Sequence, residues 1–173
     1  MWRASHRTRI GASLVLVLAA IVFAAPAAQA FGVRARHAGI YDPASGEWLY
    51  TQSVDDPVPV ASLTKIVAGR TFYHLGGNLD SVVTIRRDEL VGAGKTRLRE
   101  GDVRPARTLL KMALVCSDNC AARALTHPFG MSYETYGSRM QELVWGMGCR
   151  QSSFVEPTGL NAENRSTVRE IVV

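Results

Sequence analysis

Residues 61–78 read ASLTKIVAGRTFYHLGGN. The stretch opens with a serine and a lysine three residues apart and closes on Gly76-Gly77-Asn78, which stops a helix. The spacing predicts a helix from Ser62 to about Leu75. Residues three apart share a helix face, so Lys65 projects beside Ser62. A serine that opens a helix also sits near the positive end of its dipole. A neutral lysine in that place takes the serine proton, provided burial or a nearby cation lowers its pKa. Alone, the motif is weak, because a serine cap followed by a surface lysine has the same spacing.

Upstream, Val33 to Tyr41 and Glu47 to Gln52 read as two strands of a hairpin around the turn residues Asp42 to Gly46. Asp55-Asp56-Pro57 and Pro59 read as a loop. Downstream, Val82 to Ile85 is a short strand, Gly92-Ala93-Gly94 marks a loop, and Pro105 suits the first turn of a helix. Leu109, Met112, Ala113 and Cys116 then follow at helical spacing. Directly after them comes Ser117-Asp118-Asn119, a polar triplet between Val115-Cys116 and Cys120-Ala121-Ala122. As local structure, it is a joint at which Ser117 or Asp118 caps the next helix. As chemistry, Ser117 is a proton relay near Lys65 and Asn119 holds a substrate amide. A further helix spans Tyr133 to about Met147, with Tyr136, Met140, Leu143, Val144 and Met147 on one face. Phe154 to Leu160 is irregular, and Thr167-x-x-Glu170 reads as a capping box.

Ser-x-x-Lys at a helix start, followed by Ser-Asp-Asn after a second helix, is the order found in penicillin-recognising serine acyl-transferases. The flanks agree. Asp42 to Tyr50 resembles the first hairpin of the D-alanyl-D-alanine carboxypeptidases, and Ala61 to Lys65 resembles their nucleophile segment. Arg97-Leu98-Arg99-Glu100-Gly101, Leu109-Leu110 and Ser117-Asp118-Asn119 are similar to the low-molecular-mass endopeptidase branch. Phe154 to Leu160 and Asn164 to Glu170 resemble the segments that come next in those proteins. The resemblance covers nearly all of residues 33–173. It implies an α/β fold of the α+β type: a β-lactamase/transpeptidase-like fold with an antiparallel sheet flanked by helices. It also implies roles. Ser62 is the acylated nucleophile, Lys65 its base, and Ser117 the proton donor to the leaving amine. Asn119 orients the substrate peptide, and the Ser62 backbone N–H serves the oxyanion. The implied substrate is a peptidoglycan stem peptide, with β-lactam antibiotics as covalent inhibitors and no metal or cofactor.

Two rivals use the same residues. A class A β-lactamase shares both motifs, but its E-x-x-L-N is met only by Glu156-Pro157-Thr158-Gly159-Leu160-Asn161, one residue too long. A non-catalytic cell-wall-binding module on a decayed peptidase fold accounts for the absence of the family's third element, Lys-Thr/Ser-Gly. Lys95-Thr96 continues to Arg97 and precedes Ser117, and Thr158-Gly159 follows a proline. In the family this element lies well after the capped helix at which the sequence stops, as do later strands of the sheet. The expectation is therefore a truncated member, with residues 31–173 the N-terminal part of its domain, incompletely folded or inactive. A nucleotide-binding loop at Gly92-x-Gly94-Lys95-Thr96 is discarded, because position 89 is Glu where that motif needs Gly.

The first thirty residues read as a signal peptide. Arg3, Arg7 and Arg9 precede an unbroken apolar run of 12 residues, Leu14 to Ala25. Pro26 breaks the run and Ala28-Gln29-Ala30 is a small-x-small cleavage site. The run falls short of the roughly 20 residues a membrane span needs, so export with cleavage before Phe31 is expected, to the periplasm or cell wall, with no transmembrane segment in the mature chain. Those three arginines also explain the net charge of +5, since the other 17 basic residues nearly balance 15 acidic ones. The charge therefore gives no case for nucleic acid as a partner. With 47% apolar and 20% charged residues, the composition excludes disorder and collagen. Cys116, Cys120 and Cys149 are an odd set, read as small buried apolar residues rather than a disulfide framework or metal site.

Overall fold

The structure is a computed structural model that describes residues 33–172. The signal-peptide reading and the cleavage site before Phe31 lie outside those residues. Every element below belongs to the compact unit Arg36–Val173. The hairpin strands are β1 (Ala38–Asp42) and β2 (Glu47–Gln52), antiparallel, with Ala38 opposite Gln52 and a bulge between Ile40 and Tyr41. The turn is closed by Asp42, whose side chain accepts from the Ala44 N–H at 2.9 Å and the Ser45 hydroxyl at 2.9 Å. β1 begins at Ala38, later than the predicted Val33. Its partner strand ends at Gln52, and Ser53 has φ +46°, which turns the chain out of the ladder.

The loop expected around Pro59 contains β3 (Val58–Pro59), which pairs with β6 (Arg165–Ser166). A tight 3₁₀ turn, Ala61–Leu63, then leads into α1 (Thr64–His74). Ser62 thus lies inside a 3₁₀ turn and does not cap the helix, as the sequence had suggested. β4 (Val82–Thr84) pairs with β5 (Val103–Pro105), which the sequence pattern hid, and α2 (Arg87–Leu90) lies between them. Pro105 ends β5 and serves as the N-cap of α3 (Ala106–Val115), so it stands just outside the helix. α4 (Asn119–Ala124), a second 3₁₀ turn (His127–Phe129), α5 (Tyr133–Gly146) and α6 (Val168–Ile171) complete the order. All three ladders are antiparallel and two-stranded. Among the described residues no helix is long and apolar enough to cross a membrane.

α1 is the central element, and its residues face two cores. Phe72 joins Ile85, Leu109 and Leu125 in one, while Ala68 joins Tyr136, Met140, Val144 and Phe154 in the other. Phe129 packs against both, with its ring 5.4 Å from that of Phe72 and 6.1 Å from that of Tyr136. Burying Phe72 completely contributes about 2–3 kcal/mol. The Tyr136 hydroxyl donates to the Ala68 carbonyl at 2.9 Å, so the buried ring carries no unpaired polar atom. α5 in turn sets the segment after it. Gly137 lets the Val155 carbonyl come so close that a Cβ would stand 2.2 Å from its oxygen.

Two smaller expectations are corrected. Cys116 is exposed, because α3 ends at Val115 and the apolar stripe stops with it. Cys116 and Cys120 lie on either side of Ser117, which has φ +55°, so they share no helix face. Cys120 and Cys149 are buried, and burial pushes the Cys120 thiol up to about 12. At α6, Thr167 accepts from the Glu170 N–H at 3.0 Å, but the reciprocal half of the capping box is missing. The Glu170 carboxylate instead accepts from the Gln151 N–H at 3.0 Å and the Ser152 hydroxyl at 2.6 Å.

Candidate active site

Three separate segments meet at Ser62. The first is its own turn. Ala61 has φ +47°, a left-handed conformation that costs a non-glycine residue about 1 kcal/mol or more. It turns the chain from β3 into the 3₁₀ turn, where the Leu63 N–H donates to the Val60 carbonyl at 3.1 Å. The Ser62 N–H donates to no group among the described residues. Helical side chains lean toward the N-terminus, so Lys65 reaches back from the first turn of α1. Its Nζ lies 3.1 Å from Ser62 Oγ.

The second segment is the joint between α3 and α4. The Cys116 and Asp118 N–H groups both donate to the Met112 carbonyl at 3.1 Å, which closes α3. Asp118 caps α4 by accepting from the Ala121 N–H at 3.0 Å, and its other oxygen accepts from the Thr96 hydroxyl at 2.6 Å. Ser117, held left-handed between these anchors, donates its hydroxyl to Ser62 Oγ at 2.7 Å. Asn119 is turned another way. Its Nδ2 donates to the Ala93 carbonyl at 2.8 Å and ties down the loop that begins at Gly92. Asn119 Oδ1 has no hydrogen bond among the described residues.

The third segment is the irregular stretch after α5, for which the sequence suggested a resemblance but no role. Lys65 Nζ donates to the Thr158 carbonyl at 2.7 Å. Glu156 folds this stretch by accepting from the Thr158 N–H at 2.8 Å, the Thr158 hydroxyl at 2.6 Å and the Gly159 N–H at 2.6 Å. Gly159 has φ +84° and lies directly against the Ala61 carbonyl. Both oxygens of Glu156 are therefore occupied by the protein's own donors, which counts against its use as the water-activating glutamate of a β-lactamase. Thr158 contributes a backbone atom, and no sequence pattern marks it.

Lys65 is 2% exposed. Burial pulls its amine below the ordinary lysine value, while the charges of Glu156 and Asp118 pull the other way. An amine with one N–H on Thr158 and its lone pair toward Ser62 can take the serine proton. The Ser117 hydroxyl meets the same oxygen. The distances bring Ser62, Lys65 and Ser117 together, while the Asn119 amide is bonded to Ala93.

A helical core with antiparallel ladders is the fold of known DD-peptidases. The fold is shared with a variant of the DD-transpeptidase of Streptomyces K15, at a TM-score of 0.74 and 25% identity over 80% of this chain and 58% of that one. It is also shared with the D-alanyl-D-alanine carboxypeptidase of Mycobacterium tuberculosis, at a TM-score of 0.75 and 22% identity over 86% of this chain and 57% of that one. The chain belongs to the D-alanyl-D-alanine carboxypeptidase family, whose model matches residues 24–173. Among curated relatives, the D-alanyl-D-alanine endopeptidase of Pseudomonas aeruginosa is 30% identical over 135 residues, which cover 76% of this chain and 43% of that protein. The chain thus spans less than half the length of that relative.

Proposed function

We propose that Ser62 is the acylated nucleophile of a serine-type D-Ala-D-Ala carboxypeptidase or endopeptidase acting on peptidoglycan stem peptides. Neutral Lys65 accepts the Ser62 proton as Oγ adds to the carbonyl carbon of the penultimate D-Ala. The Ser62 N–H donates to the oxygen that becomes negative, a type of contact whose loss costs about 10²–10³ in rate. As the tetrahedral adduct collapses, the proton reaches the departing amine through Ser117. Water then cleaves the ester and restores Ser62. Asn119 Oδ1 accepts from a substrate amide N–H, while Nδ2 keeps its hold on Ala93. The steps use no metal or cofactor.

The observation that carries this reading is the meeting of Lys65 Nζ and Ser117 Oγ on one serine oxygen, at 3.1 and 2.7 Å. The relatives named endopeptidases support a cross-link between stems as the bond cleaved. β-Lactams, with a strained amide in place of the D-Ala-D-Ala bond, acylate the same oxygen. The leader-like residues 1–30 support export to the periplasm or cell wall. The test is incubation with a fluorescent penicillin. A covalent band that disappears in Ser62→Ala is expected, and a band of equal strength in that variant would overturn the assignment.

A further inference from the structure

Glu156 makes none of the contacts to Ser62, yet the peptide that grips Lys65 hangs from it. The Gly159 N–H, 2.6 Å from Glu156 Oε1, and the Thr158 C=O, 2.7 Å from Lys65 Nζ, belong to one peptide unit. That unit is trans, as are all peptide bonds among the described residues, so its N–H and C=O point in opposite directions. A carboxylate on the N–H side therefore aims the carbonyl at the amine. It also polarises the unit, because hydrogen bonds in series strengthen one another. The carboxylate is fixed in turn. Asn164 Nδ2 donates to its Oε1 at 2.7 Å, the Asn164 Oδ1 accepts from the Val155 N–H at 2.7 Å, and the Asn164 carbonyl accepts from the Val60 N–H at 3.0 Å. Val60 is the residue before the turn that carries Ser62. One chain of hydrogen bonds thus runs from the base of the nucleophile turn, through Asn164 and Glu156, to the amine.

We infer that Glu156 is a positioning residue for the acylation, holding the Thr158–Gly159 peptide so that its carbonyl fixes the Lys65 amine against Ser62. The inference rests on the reading that Lys65 activates Ser62. The charged groups facing Lys65 are Glu156, on this loop, and Asp118, ahead of α4. Both favour the protonated amine and burial opposes them. Removing the Glu156 charge takes away one of the two supports, and it also weakens the carbonyl that orients the amine.

The test reads Lys65 directly. The sequence has three lysines, Lys65, Lys95 and Lys111, so the full chain carrying ¹³C at lysine Cε gives three resolvable NMR titrations, with Lys65 assigned by its loss in Lys65→Arg. Glu156→Gln is expected to lower the Lys65 midpoint by roughly one pH unit and to lower the pH midpoint of fluorescent-penicillin labelling by the same amount. Glu156→Asp keeps the charge and is expected to stay within about 0.3 units of the wild type. A Glu156→Gln protein that melts lower but leaves both midpoints in place would overturn the inference, reducing Glu156 to a loop support. If Glu156→Gln does not fold, a folded Glu156→Asp with the midpoint lowered by a full unit would overturn it equally. Absence of Ser62-dependent labelling in the wild type would instead overturn the acylation reading. The lysine titration needs no turnover and would then decide the Glu156 contact by itself.

Discussion

Gly159→Ala is the substitution whose cost can be worked most directly from the structure. Gly159 has φ +84°, and a Cβ built there would lie 1.9 Å from the Ala61 oxygen, 2.4 Å from its carbonyl carbon and 3.0 Å from Thr64 Oγ1. The left-handed backbone costs alanine about 1–2 kcal/mol. Forcing a methyl into a packed contact costs about 1–3 kcal/mol more, giving about 2–5 kcal/mol together. In a domain of this size, each kcal/mol moves Tm by roughly 3–4 °C, so a fall of about 6–20 °C is expected. The displaced atoms also belong to the turn that presents Ser62, so the labelling rate by fluorescent penicillin is expected to drop at least ~10-fold, even well below the melting point. Gly146→Ala is the control. It ends α5, has nothing within 4 Å of a new Cβ, and is expected to raise stability by about 0.5–1 kcal/mol. Thermal melts and labelling time courses of both variants make the comparison. A Gly159→Ala protein that melts and labels like wild type would mean the contact between this loop and the nucleophile turn is not as close as described.

Two further outcomes follow from the same site. Ser117→Gly removes a left-handed non-glycine residue (φ +55°) and should raise stability by about 1 kcal/mol, while loss of the hydroxyl slows labelling ~10²-fold or more; a melt at or below wild type would contradict the strain argument. Lys65 is held below its usual value near 10.5, chiefly by burial, so the unfolded chain binds its proton more tightly than the folded one. The difference costs stability wherever both states hold the proton, and the cost is lost as pH rises through the folded pKa toward 10.5. The Tm of Lys65→Met minus that of wild type should shrink steadily over that range, and a pH-independent gap would show that the amine is not desolvated.

What the sequence made legible was what repeats or what recurs in a fixed order. The hairpin turn at Asp42–Gly46, the helix face of Tyr136, Met140 and Val144, and the pairing of Ser62 with Lys65 all follow from local spacing. Ser117 followed from motif order. The ladders β3–β6 and β4–β5 did not, because two or three residues carry no period and their partners lie far along the chain. The left-handed backbone at Ala61 and Ser117 is set by tertiary anchors, since neither residue type favours it. Thr158 meets Lys65 through a carbonyl that every residue possesses. Glu156 was visible only as a near match to another family's motif, and its hydrogen bonds to Thr158 and Gly159 exist only in the folded chain. Asn119 was found by its motif, but half of its amide is spent on the Ala93 loop, which only the folded chain could show.

The contact between Lys65 and the Thr158 carbonyl joins residues 93 positions apart, and that between Ser117 and Ser62 joins residues 55 apart. Closing loops of that length costs chain entropy that the contacts must offset. Until they close, Ser62 is an ordinary alcohol and Lys65 an ordinary charged ammonium in water. On the proposed mechanism, reactivity is a property of the folded topology, and a chain that has not made these closures holds Ser62 in a dormant form.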